Sequence, residues 1–178
     1  MRASLDTNVI IHLYRAGLQN ILFEFFDEGV FIYEMIRSIE LSHHGKDLLE
    51  KIDEDILEGK IKTLQDAFLP NTPDYLKMNY SQTQEEWAEA NEANIWNYFV
   101  ENNMVFSDDP KLYERFLSVA PFSKFYTEID QKSSPRVGSF IGWRICKAFY
   151  AQKPETKLSD FLKMNTTEIF NQSNYKPE

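Results

Sequence analysis

The chain has 178 residues, which is enough for one ordinary domain or for two small ones. Its apolar content of 43% is typical of a globular protein and excludes an intrinsically disordered one. The formal net charge of −9 argues against a general nucleic-acid-binding surface, although a carboxylate-rich metal site would itself raise the acidic count.

The sequence contains few features that indicate where in the cell the protein is located. A single cysteine, Cys146, excludes an internal disulfide framework and fits a reducing compartment. Residues Met1–Ser4 do not begin a signal peptide pattern, and no apolar run approaches the roughly 20 residues of a membrane-spanning helix. We therefore expect a cytoplasmic chain with no membrane segment.

The order of predicted elements in the front of the chain favours an α/β layer. Apolar residues on both sides of the polar residues 6–8 predict a buried strand. The strand would place the carboxylate of Asp6 in a functional site. A short helix follows, and then a second strand over 30–33, which is rich in β-branched and aromatic residues. Two helices come next, Met35–Ser42 and Leu48–Leu57, and Gly59 is predicted to end the second. This order indicates a parallel sheet.

Two motifs in this front part resemble a known nuclease family. Leu5–Ile11 resembles the opening strand of PIN-domain nucleases, and Tyr33–Leu41 resembles their second strand and the helix after it. The resemblance implies that Asp6 and Glu40 are catalytic, metal-binding carboxylates.

The same resemblance implies that Thr7 and Asn8 support the first carboxylate, and that RNA is the substrate. Mg²⁺ or Mn²⁺ would be the cofactor, because hard divalent cations take oxygen ligands and activate the attacking water. Such a site needs more acids than two. Val105–Asp109 is typical of a strand ending in acids, so Asp108 and Asp109 could complete the site. Alternatively, Asp109 caps a helix that begins at the following proline.

The back of the chain is predicted to be helical. Thr83 and Glu86 form a capping-box pattern that opens a helix to about Glu101. The apolar stripe of this helix contains Trp87, Asn91, Ile95, Tyr98 and Phe99.

A second long helix is predicted to start at Ser134-Pro135. Its residues Val137, Ile141, Ile145 and Phe149 form an i, i+4 ladder, and Gly138 and Gly142 would permit close helix packing. A short helix over Thr166–Asn171 closes the chain.

This back part resembles the C-terminal region of the gliding-motility-associated lipoprotein family (its B member). Three of the matching runs are Gln65–Pro70, Pro121–Tyr126 and Ser134–Gly138, and Trp87, Asn91, Trp96 and Tyr98 match between the first two. The family is membrane-anchored, and the resemblance implies a link to gliding motility.

The expected fold class is therefore an α/β N-terminal part, a partial PIN-like parallel sheet with helices over residues 1–64, joined to a mostly α-helical part over 65–178. The junction is expected near residues 59 to 66, because every histidine lies before residue 45 and every proline and tryptophan lies after residue 69. A single domain with a helix-rich front and a loop-rich back explains the same composition.

We expect the protein to be a composite whose incomplete nuclease module has weak or no activity. Two alternatives are an active metal-dependent ribonuclease completed by acids of the back half, and a non-enzymatic helical interaction module linked to gliding motility. Because a truncated sheet leaves strand edges uncovered, self-association or binding to a partner protein is expected as well.

Overall fold

A computed structural model describes residues 51–177, and within this range every regular element is helical. These residues belong to one compact unit that spans Leu48–Glu178. The helices are α1 (Lys51–Phe68), α2 (Asp74–Met78), α3 (Gln82–Ala90), α4 (Glu92–Glu101), α5 (Lys111–Phe116), α6 (Val137–Gln152), α7 (Leu158–Phe161) and α8 (Thr166–Ser173), with a 3-10 turn over Asp130–Lys132.

The core is organised around the packing of α1 against α6, with α8 lying against both helices. The predicted ladder of α6 is confirmed, because Val137, Ile141, Ile145 and Phe149 are each at most 1% exposed. Ile56 of α1 is completely buried in the same cluster. Burial on this scale supplies most of the free energy of folding for a helical unit of this size.

Two glycines bring the backbones of α1 and α6 into contact. A Cβ atom on Gly59 would lie closer than 3.0 Å to the carbonyl group of Gly142, and one on Gly142 would overlap the backbone of Asp55. The predicted role of Gly142 in close helix packing is therefore confirmed. The prediction that Gly59 ends a helix is wrong, because Gly59 lies inside α1 and serves this contact instead.

The predicted fold class is wrong for the residues that the structure describes. Residues 51–64, assigned to the α/β part, form the first turns of α1, and this helix continues through the expected junction at 59–66 to Phe68. No strand occurs within 51–177. The predicted strands and helices before residue 51 lie outside the described residues.

The predicted strand at Val105–Asp109 is also wrong. The segment forms turns, because the Val105 carbonyl accepts a hydrogen bond (3.0 Å) from the backbone N–H of Ile52 in the first turn of α1. Such a bond satisfies one of the N–H groups that a helix start leaves without an internal partner.

The predicted long helix over about 83–101 is two helices. The capping box consists of Ser81 and Gln84, not Thr83 and Glu86, so α3 begins at Gln82. The break falls at Asn91, whose side-chain Nδ2 donates a 2.8 Å hydrogen bond to the Trp87 carbonyl. This local bond competes with the regular ladder at the residue where α3 ends and α4 begins.

The glycine contact generates a testable ranking of stability. Gly142→Ala should destabilise the protein by about 3 kcal/mol or more, because the added methyl group meets rigid backbone in α1. Gly138→Ala is the comparison on the same helix and should cost less, since its Cβ would meet the Asp55 side chain at 2.5 Å and the Phe116 carbonyl oxygen at 3.1 Å but would not overlap the α1 backbone. Urea unfolding of both variants measures the difference. An alanine at 142 that is tolerated as well as one at 138 would contradict the backbone contact.

Candidate functional site

The residues predicted to bind metal are only partly within the described range. Asp6, Thr7, Asn8 and Glu40 lie outside the described residues, so the Mg²⁺ or Mn²⁺ site and its RNA substrate stay predictions.

Asp108 and Asp109 are exposed at the surface. Asp109 Oδ1 accepts a 3.0 Å hydrogen bond from the backbone N–H of Lys111, so this carboxylate caps the start of α5. In residues 51–177 no group of three or more His, Cys, Asp and Glu side chains is placed to hold a metal ion.

A buried ion pair fixes the start of α6. Arg136 Nη2 lies 2.6 Å from Glu58 Oε2 of α1, and Arg136 Nε donates a 3.0 Å bond to the Leu117 carbonyl after α5. The arginine backbone is left-handed, with φ of 53°, which a non-glycine residue adopts at a cost of about 1 kcal/mol. The side chain of Arg136 thus joins three segments of the fold at the residue before α6.

Serine hydroxyls complete the scaffold in front of α6. Ser123 Oγ donates to the Ser134 carbonyl (2.8 Å) and accepts from the Val137 N–H (3.1 Å). Ser133 Oγ donates to the Ser123 carbonyl (3.0 Å), and Tyr80 Oη donates to the Pro135 carbonyl (2.5 Å). These buried polar groups satisfy backbone atoms of an irregular segment, which would otherwise cost about 1 to 3 kcal/mol for each group left without a bond.

An open groove lies between this scaffold and helices α3 and α4. Its volume is about 180 Å³, which suits one large side chain better than a whole small-molecule ligand. None of its lining residues is charged. They are Trp87, Asn91, Asn94, Ile95, Tyr98, Phe125, Thr127 and Ile129.

The loop wall of the groove is held in place by hydrogen bonds within the described residues. The Asp130 carboxylate accepts hydrogen bonds from the backbone N–H groups of Phe125, Tyr126 and Thr127, at 2.9, 3.1 and 3.3 Å. Tyr98 Oη donates a 2.8 Å bond from α4 to the Phe125 carbonyl. A wall fixed in this way loses little conformational entropy on binding.

Large apolar side chains are exposed beside the groove. Tyr126 is 71% exposed, and its left-handed backbone (φ 62°) places its ring under the Arg115 guanidinium, 4.4 Å from Cζ to the ring centroid. Ile129 is 41% exposed. Adjacent exposed apolar groups of this size are typical of interaction surfaces.

Several residues of the groove belong to the apolar stripe that was expected to face the core. Of the predicted stripe, Ile95 and Phe99 are buried, whereas Trp87, Asn91 and Tyr98 are partly exposed. Asn91 is the residue from which this partial exposure could have been predicted. A polar amide within an apolar stripe at helical spacing indicates that this face of the helix is partly exposed to solvent.

Comparison with known proteins gives one family. The family model described as "Gliding motility protein GldB" matches residues 13–177. No curated protein and no solved structure matches the chain. The resemblance to gliding-motility proteins is confirmed, and it extends over most of residues 1–64, which the sequence analysis had assigned to a nuclease. The comparisons give no support for the PIN resemblance. In the described part of the chain, no helix has the length and apolar character to span a membrane.

Two substitutions of Arg136 should separate the stability contributed by its ion pair from the cost of its strained backbone. Arg136→Ala should cost about 3 to 5 kcal/mol of stability, because the buried Glu58 loses this partner and the Leu117 carbonyl loses its donor. Arg136→Gly should cost about 1 kcal/mol less than Arg136→Ala, since glycine adopts a positive φ without strain. Chemical denaturation tests both values. Equal losses for the two variants would show that the backbone strain is not relieved.

Lys62 of α1 gives the fold a pH dependence above neutrality. Lys62 is 1% exposed, and its ammonium donates a 2.6 Å hydrogen bond to the Lys77 carbonyl. Burial, with a smaller contribution from the charge of Arg136, lowers the pKa of Lys62 from 10.5 to about 8. Between these values the unfolded chain binds a proton that the folded chain does not, so stability rises with pH.

We expect the unfolding free energy of the wild type to gain about 2 kcal/mol between pH 8 and pH 10, relative to Lys62→Met. Measurement should stop near pH 10, because burial raises the pKa of Tyr80 and of Tyr175 and the fold loses stability above that point. Denaturant titrations of both proteins at several pH values provide the comparison. Parallel pH profiles would contradict the assignment to Lys62.

Proposed function

The chain belongs to the family of the gliding motility protein GldB, and from this premise we propose that it is a helical interaction module that serves gliding motility by binding a partner protein. The proposed docking site is the groove between α3, α4 and the loop over residues 125–130. The observation that carries the proposal is the fixed, uncharged wall of this groove with exposed apolar residues beside it.

The buried polar side chains form bonds inside the scaffold, which supports a binding role for the groove in preference to a catalytic one. Glu58, Arg136 and the serines before α6 bond to backbone atoms or to one another inside the scaffold. None of these groups lines the groove. The groove itself presents rings, aliphatic side chains, amides and one hydroxyl, which suit the contact area and hydrogen bonds of a protein interface.

The size and rigidity of the groove also favour a protein partner. A cavity of about 180 Å³ accepts a single aromatic or large aliphatic side chain, as a central anchor of an interface does. The lipid anchoring implied by the family resemblance would place such a surface beside a membrane, where other motility components could reach it.

A matched pair of surface substitutions tests the proposal in cells. In a gliding strain that lacks the gene, complementation with Ile129→Asp should leave colony spreading at the level of the deletion, because a carboxylate enters the apolar groove. Leu76→Asp is the control. Leu76 is 49% exposed on α2 and does not line the groove, so this variant should spread like the wild type.

Both purified variants should unfold within about 0.5 kcal/mol of the wild type, since each changes an exposed side chain. Immunoblots establish that the cells contain equal amounts of each protein. Normal spreading with Ile129→Asp at wild-type protein levels would overturn the docking role of the groove.

A further inference from the structure

The charge around the groove differs from that of the chain as a whole. The chain carries a net charge of −9, yet no acidic residue lines the groove. A smaller cleft within residues 51–177 shows the contrast, because its lining contains Asp74, Glu85 and Glu89 together with Arg144 and Lys147. The groove is therefore an apolar surface from which carboxylates are absent.

Two basic residues, Arg115 and Lys124, lie next to this surface, and hydrogen bonds join Arg115 to the Lys124 backbone. The Lys124 N–H donates a 3.0 Å bond to the Arg115 carbonyl, and Arg115 Nε donates a 2.8 Å bond to the Lys124 carbonyl. Arg115 Nη2 also donates to Tyr98 Oη (3.1 Å), which places this guanidinium beside the groove wall, and Lys124 is an exposed residue that directly precedes Phe125 of the wall.

Arg115 differs from the other arginines of residues 51–177 in what it contacts. Arg136 and Arg144 each bind a carboxylate, of Glu58 and Glu92 respectively. Arg115 bonds only to uncharged oxygens and lies over the rings of Phe116 and Tyr126, and no carboxylate of the described residues is within 4.0 Å of it. An arginine that contacts aromatic rings and uncharged oxygens keeps its charge available to a carboxylate that arrives from outside.

In the described residues, the acids of the neighbouring segments form no ion pair with this edge. The carboxylate of Asp130 accepts bonds from three backbone N–H groups of the loop. Glu114 and Glu128 are exposed, and neither forms an ion pair with Arg115 or Lys124 in the described structure.

We propose that the partner of the groove is a peptide segment that presents a large apolar side chain next to an acidic one. The apolar side chain fills the space between Trp87 and Phe125, and the carboxylate lies against Arg115 and Lys124. This inference rests on the proposed docking function and adds the chemical class of the partner. Complementary charge of this kind selects the partner and speeds the encounter.

Two fluorescein-labelled peptides of equal length test the inference with the full chain. In one, two aspartates flank a leucine–phenylalanine pair, and in the other two lysines do. Fluorescence anisotropy at low ionic strength should give a dissociation constant about tenfold lower for the aspartate peptide. The difference should shrink at about 0.5 M salt, because the cations are partly exposed and therefore screened.

Charge reversal assigns the preference to the proposed edge. Lys124→Glu should weaken the binding of the aspartate peptide and strengthen the binding of the lysine peptide, each by about three- to tenfold in the dissociation constant. Lys157→Glu is the matched control, because Lys157 is an exposed lysine at the start of α7 that does not line the groove, and it should leave both dissociation constants unchanged. Ile129→Asp should weaken both peptides by removing the apolar contact.

The outcomes distinguish the two levels of the proposal. Equal binding of both peptides that is lost in Ile129→Asp would overturn the acidic-partner inference and leave the docking groove intact. Absence of binding by the aspartate peptide, or binding that Ile129→Asp does not change, also overturns the inference. Failure of the docking function itself would appear separately, as normal colony spreading with Ile129→Asp.

Discussion

The close contact of α1 and α6 at Gly59 and Gly142 is the constraint on which the rest of the described structure depends. Side chains at either position would hold the two backbones apart and open the cluster around Ile56 and Ile141. Each glycine lowers helix propensity by roughly 1 kcal/mol, but the contact it permits buries apolar side chains worth about 2 kcal/mol each. Packing therefore outweighs propensity at both positions.

The tight contact also explains why α6 begins with a strained residue. With α1 this close, the carboxylate of Glu58 lies within 2.6 Å of the Arg136 guanidinium, and Arg136 makes this contact from a left-handed backbone. The same guanidinium holds the Leu117 carbonyl, so the segment between α5 and α6 is fixed at its two ends. Ser123, bonded within this segment, fixes its middle, and the loop wall of the groove is built on that foundation.

The sequence predicted the helical elements of the back part well, because their signals are local. The ladder from Val137 to Phe149 and the close packing of Gly142 follow from helical spacing alone. The prediction for Gly59 was wrong, because a glycine that ends a helix and a glycine at a helix–helix contact have the same local sequence pattern. The groove could not be predicted for a related reason. Tyr98 and Phe125 are distant in sequence, and the hydrogen bond that joins them exists only in the folded chain.

The contacts of α1 bear on how the front and back of the chain are related. Gly59 and Glu58 precede the predicted division at residues 64 and 65, whereas Gly142 and Arg136 follow it, and the two sets fit each other by shape and by charge. Contacts of both kinds join residues on the two sides of that division into one packed unit. The family match runs across that division as well, from residue 13 to residue 177. Residues 51–64 therefore form part of the helical scaffold that supports the groove.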